Sequence, residues 1–207
     1  MSDNNSSLSV VTSGAVIFFI GNAFSNAAKF ILQLLITRSL GAGSFGVYSY
    51  GLTILSVVGT FARLGVTESI MRFVPEFDSN KRKQGRYVTI AFCTTIIGSL
   101  IAAVALFMMA STINSYTLDN PLFENVLQIF AILLPLQTLT QAVSNTFRAF
   151  EDAKYQIFIR DVLVPFLNIT TVAVAIISGA TIVGVSAAIA VAGFLSVCIG
   201  FILFSSR

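Results

Sequence analysis

Residues 182–204 read IVGVSAAIAVAGFLSVCIGFILF and contain no charged side chain. As a helix rising about 1.5 Å per residue, such a run is about 35 Å long, enough to cross a hydrocarbon core of about 30 Å. It lacks the strict polar–apolar alternation of a barrel strand, and hydrocarbon tolerates only closed barrels or helices, so a helix is the reading.

Similar runs recur along the chain. Of 207 residues, 56% are hydrophobic and 10% charged, where a soluble domain carries about 25% charged residues. The mean hydropathy is +0.88. The predicted fold class is therefore all-α, a polytopic helical membrane protein with six transmembrane helices. They run over about 13–37, 46–66, 87–110, 121–147, 157–178 and 182–204, which together form a transmembrane lobe at 13–204. Residues 1–12 form a tail and 205–207 a cytoplasmic end. The tail has no basic n-region or cleavage site, so the first span is expected to be retained.

Local chemistry marks the boundaries. SLGAGSFG (39–46) and SGAT (178–181) read as turns, and DSNKRKQGR (78–86) as a charged loop. In LDNPLFEN (118–125), Asp119 or Asn120 caps the fourth helix, with Pro121 in its first turn. Pro135 and Pro165 should bend the spans that contain them.

With the N-terminus cytoplasmic, Arg63, Arg72, Lys81, Arg82, Lys83, Arg86, Arg148, Lys154, Arg160 and Arg207 fall inside and Arg38 outside. This positive-inside asymmetry places both termini in the cytoplasm and explains a pI near 9.1 without nucleic acid. Cys93 and Cys198 sit in apolar runs without metal spacing and read as small core residues. Asn5 and Asn168 begin glycosylation triplets, but neither is expected to carry a glycan.

The stretch GNAFSNAAKFILQ (21–33) breaks the apolar pattern. At about 100° per residue, Asn22, Asn26, Lys29 and Gln33 share an arc of roughly 60° on one helix face. A mid-bilayer charge costs about 2.5–3.5 kcal/mol on insertion scales, so it normally faces protein or water. The stripe either lines a hydrated, ligand-facing groove or joins packed helices while the lysine snorkels to the outer interface. The groove is the reading carried forward. Ser49, Thr53, Ser56, Thr60, Arg63 and Thr67 form a second stripe, open to binding and tight packing alike. Gln137, Gln141, Ser144 and Arg148 form a third, read as structural.

The carboxylates (Asp3, Glu68, Glu76, Asp78, Asp119, Glu124, Glu151, Asp152 and Asp161) all fall near helix ends or in loops and the tail. An exporter of cationic drugs would want an intramembrane acid, whereas cations and amides suit a phosphate or pyrophosphate. No Walker A loop, metal cluster or nucleophile–base constellation occurs, so no enzyme activity, cofactor or metal is expected.

The stretch LGAGSFGVYSYGLTILSVVGTFARLGVTESIMRFVPEF (40–77) resembles the start of the polysaccharide and oligosaccharide flippases, O-antigen-type members of the multidrug/oligosaccharidyl-lipid/polysaccharide exporter superfamily. Leu40-Gly41 with Phe45-Gly46 and Tyr48, then Leu64-Gly65, then Arg72-Phe73-Val74-Pro75-Glu76, carry the likeness. FRAFEDAKYQIFIRDVLVPFLNI (147–169) resembles the link into the fifth helix. Arg63 departs from the pattern, standing where many relatives have an acid.

The resemblance implies one lobe of a two-lobe alternating-access transporter, paired with a second six-helix lobe in the plasma membrane. It would carry a lipid-linked oligosaccharide of polyprenyl phosphate or pyrophosphate type from the inner to the outer leaflet. The expected cavity residues are Asn22, Asn26, Lys29, Gln33, Thr60 and Arg63, with membrane lipids and glycan-assembly enzymes as further partners. The alternatives are a multidrug exporter of the same superfamily and a non-transporting scaffold for glycan-assembly enzymes.

Overall fold

The computed structural model describes residues 3–63, 66, 69, 81–149 and 157–205. They form helices and short connections, with no strand among the described residues. We number the helices α1 (Asp3–Ala62), α2 (Lys81–Tyr116), α3 (Pro121–Ala149), α4 (Val164–Ile177) and α5 (Ile182–Ser205), with a π-helical turn, Phe158–Leu163, leading into α4. Among the described residues, five helices are long and apolar enough to cross a membrane: Phe19–Ala62, Lys81–Tyr116, Pro121–Phe147, Phe158–Ile177 and Ile182–Leu203.

The first of these has 44 residues, about 66 Å of helix, or roughly twice the hydrocarbon core. It is not a rod. Gly41 has φ 83° and ψ 164°, a conformation essentially restricted to glycine. Ser25 and Lys29 before it, and Tyr48 and Leu52 after it, line one cavity. In a straight helix Ser25 and Leu52 would stand about 40 Å apart. The chain therefore reverses at Gly41, and α1 has two limbs. The expected eight-residue turn at 39–46 is condensed to this one non-helical residue.

Other boundaries follow local chemistry. Lys81–Arg86, expected in a loop, instead opens α2. Asn120 caps α3, its Oδ1 accepting the Leu122 N–H at 2.9 Å, while Asn114 Oδ1 accepts the Asn120 N–H at 2.9 Å. The α4–α5 turn closes as a Schellman motif, with Ala180 N–H on Ala175 O and Gly179 N–H on Ile176 O. α3 continues as one helix through Pro135. Pro165 lies in the first turn of α4, just past the π turn, rather than inside a regular α span. There its missing N–H removes no α-helical bond.

α3 is the central helix. Phe123, Val126, Leu127, Phe130, Leu133 and Leu134 are all fully buried, and Tyr48 meets Phe130 edge-on at 5.8 Å. The outer surface is apolar, with Ile97, Ile101, Val104 and Met108 of α2 and Phe194 and Ile202 of α5 exposed. An apolar exterior around a partly polar interior is the distribution hydrocarbon requires. The inner-face element Arg72–Glu76, Thr67, Glu68 and residues 150–156 lie outside the described residues.

Replacing Gly41 by Ala should lower stability by about 1–3 kcal/mol, the cost of holding a side chain in that region. Gly43, with open space around its Cα, serves as the control, and its Ala variant should unfold like wild type. Unfolding in mixed detergent micelles measures both. Equal stability of the two variants would remove Gly41 as the reversal point.

Candidate functional site

A cavity of about 640 Å³ lies between both limbs of α1, the π turn, α3, α4 and α5. The first limb contributes Asn22, Ser25, Ala28, Lys29, Leu32 and Gln33, the second Tyr48 and Leu52. α3 adds Leu133, Gln137, Thr140 and Gln141; Arg160 and Asp161 come from the π turn and Asn168 from α4. Apolar walls carrying a few convergent polar groups are the usual make-up of a ligand site.

Of the four residues in the first stripe, the cavity takes Asn22, Lys29 and Gln33. Asn26 is exposed and does not line it. On a helical wheel, the cavity-lining positions run from Ala28 at about −120° to Gln33 at about +20°, taking Asn22 as zero. Asn26, at about +40°, falls beyond that edge. The face is centred on Ser25 and Leu32 rather than on the amides alone. Lys29 lines the groove and, among the described residues, makes no hydrogen bond or ion pair.

The second stripe divides. Arg63 lines an adjoining cavity of about 310 Å³ with Ser56, Gly59, Gln137, Thr138 and Gln141. Its Nη1 donates to Gln141 Oε1, and its Nη2 donates to Thr60 Oγ1 at 3.1 Å. Thr60 lines neither cavity; its hydroxyl donates to Ser56 O at 2.9 Å and accepts from Arg63, so it steadies the guanidinium. Thr53 likewise bonds its own helix, at Ser49 O.

Four contributors differ from the sequence reading. Gln137 and Gln141, read as structural, line both cavities. Arg160, counted among the inner-side topology cations, and Asp161, set aside as a helix-end acid, both line the main cavity. Arg160 Nε donates to Asp161 Oδ1 at 2.9 Å and Nη2 to Oδ2 at 3.0 Å, a bidentate pair. Nη2 also reaches Asn22 Oδ1 at 3.5 Å. The Asp161 side chain is 3% exposed against 39% for Arg160, so the acid lies beneath and the guanidinium faces the opening.

Consecutive side chains on an α-helix diverge by about 100°, which disfavours such a pair. Here both belong to the π turn at Phe158–Leu163, and the long Arg160 side chain reaches its neighbour there. Gly21 lets that turn approach α1: a Cβ there would stand 2.7 Å from Ile157 Cγ2 and 3.4 Å from Asp161 Oδ2. No group of three or more metal-ligating side chains occurs among the described residues.

The family described as polysaccharide biosynthesis protein matches residues 11–207. The chain is 26% identical over 157 residues to the Man(5)GlcNAc(2)-PP-dolichol translocation protein of Kluyveromyces lactis, covering 71% of this chain and 28% of that protein. It is 26% identical over 122 residues to the EPS I polysaccharide export inner membrane protein of Ralstonia solanacearum, covering 58% of this chain and 28% of that one. The matches thus span little more than a quarter of each relative's length. No solved structure matches the chain.

Single cysteines at Asn22, Lys29 and Gln33, in a background where Cys93 and Cys198 are serine, should react with a membrane-impermeant thiol reagent. A cysteine at Ile31, exposed on the apolar surface, should stay unlabelled in a bilayer. Equal protection at all four positions would mean that the groove is dry.

Proposed function

The chain belongs to the polysaccharide biosynthesis protein family, and we propose that it moves a lipid-linked oligosaccharide or polysaccharide precursor from the inner to the outer leaflet of the plasma membrane. One observation carries this reading. Inside an apolar helical assembly lies a groove in which Lys29 and Arg160 share walls with the amides of Asn22, Gln33, Gln137 and Asn168. Cations bind the phosphates of a polyprenyl carrier, and amides exchange hydrogen bonds with sugar hydroxyls. The lipid tail stays in the hydrocarbon.

The names of the relatives, one a translocator of a dolichol-linked glycan and the other a polysaccharide exporter, support the same substrate class. In this reading the two limbs of α1 cross separately, giving six crossings with both termini cytoplasmic. A second six-helix lobe faces the groove, and the two lobes rock to expose it alternately to each side. The protein moves its substrate without chemistry, between enzymes that assemble the glycan and those that use it. Asp161 does not turn the groove into a site for cationic drugs, because its charge is already matched by Arg160.

Lys29→Ala should reduce flipping of a fluorescent polyprenyl-diphosphate glycan in proteoliposomes by about tenfold or more, the worth of a charge-assisted hydrogen bond. Lys29→Arg should retain most of the rate. A normally inserted Lys29→Ala protein that flips at the wild-type rate would overturn the assignment.

A further inference from the structure

The Arg160–Asp161 pair has a geometry that simple structural cement does not need. Its acid is buried, its base faces the groove, and Asn22 of the first limb stands against the same guanidinium. We propose that Asp161 is an internal substitute for the substrate's phosphate: it holds Arg160 when the groove is empty and competes with the phosphate for it when the groove is filled. This rests on the transport reading above and adds the residue that sets how readily the substrate lets go.

Three steps lead there. First, a carboxylate bound side-on through Nε and Nη2 occupies the fork that Arg offers to a phosphate, since both anions take it bidentately. The two anions therefore exclude one another at that edge. Second, when a phosphate takes the fork, Asp161 is left as a buried charge without its partner, which is strongly unfavourable. The bound state thus contains its own restoring force. Third, a carrier must bind firmly enough to select and weakly enough to release, and a built-in competing anion lowers affinity without removing a single contact to the substrate. The π turn keeps the competitor at hand through every cycle, because donor and acceptor are neighbours in sequence.

The test uses farnesyl diphosphate as probe, bound to the protein in nanodiscs of neutral phosphatidylcholine, so that no anionic headgroup contends for the site. Inorganic pyrophosphate as competitor separates recognition of the phosphates from recognition of the prenyl chain. Asp161→Asn, close in shape, should bind the probe about tenfold more tightly, with a correspondingly slower off-rate. Its flipping rate at saturating substrate should fall as release becomes limiting. Arg160→Lys, which keeps the charge but loses the fork, should bind about tenfold more weakly.

The double variant Arg160→Gln with Asp161→Asn leaves no lone buried charge and guards against misfolding of either single change; it too should bind more weakly than wild type. A purely structural pair predicts affinity unchanged or lowered in Asp161→Asn. That outcome, with wild type still binding and flipping, would overturn the competitor role alone. Should Asp161→Asn fail to fold, wild-type affinity in both Arg160→Lys and the double variant would overturn it equally. A wild-type protein that neither binds the probe nor flips lipid-linked sugar would instead remove the transport reading, and the competitor role with it.

Discussion

Hydrocarbon offers no hydrogen-bond partner, and that constraint sorts the polar side chains of this protein by their reach. Short hydroxyls turn back on their own helix. Thr37, Thr53, Thr60, Thr94, Thr140 and Thr170 each donate to the carbonyl four residues earlier, at 2.8–3.0 Å. They can face lipid or protein at little cost. Long amides and cations cannot fold back in this way, so they must meet one another or water. Lys29, Gln33, Gln137, Gln141 and Arg160 converge on a single groove for that reason. The groove is where the polar groups that no helix can satisfy internally are collected.

Two local departures from helical regularity make that gathering possible. Gly41 reverses α1, so that its two limbs supply adjacent walls. The π turn at Phe158–Leu163 then supplies Arg160 and Asp161 to the cavity, against a first limb that comes close because Gly21 carries no side chain. π turns recur where function needs a side chain out of α-helical phase. Ser144 Oγ, buried without a partner in the C-terminal half of α3, is the exception to the general satisfaction of buried polar side chains among the described residues.

The helical class was legible because uncharged runs longer than a bilayer admit few alternatives, and the first stripe because four polar residues on one arc are costly anywhere else. What escaped was phase and depth. A 100° wheel locates a stripe but not the centre of the face its neighbours leave open, so Asn26 was grouped with the groove although the lining face is centred on Ser25 and Leu32. Hydropathy cannot reveal a π turn, since the same residues satisfy an α-helix; Asp161 therefore read as a helix-end acid and Arg160 as a topology signal. Gln137 and Gln141 were visible as a stripe. Their role depends on α3 being central, which follows from packing with both limbs of α1, and periodicity within α3 alone does not encode it.

The cations are divided between the two cavities. Gln137 and Gln141 line both cavities, with Lys29 in the larger and Arg63 in the smaller. Two cations across a shared wall would repel if nothing lay between them, and the amides provide dipoles that can turn toward either. Arg63 already holds Gln141 through its oxygen, which leaves the amide N–H groups of that residue directed away from the guanidinium. The two cavities thus share a wall that carries amides, with Lys29 in one and Arg63 in the other. Thr60 ties Arg63 on one side and Asp161 ties Arg160 on the other, whereas Lys29 has no such partner among the described residues. Of these three cations, the two arginines would have to exchange a partner to meet an anion, whereas Lys29 would only gain one.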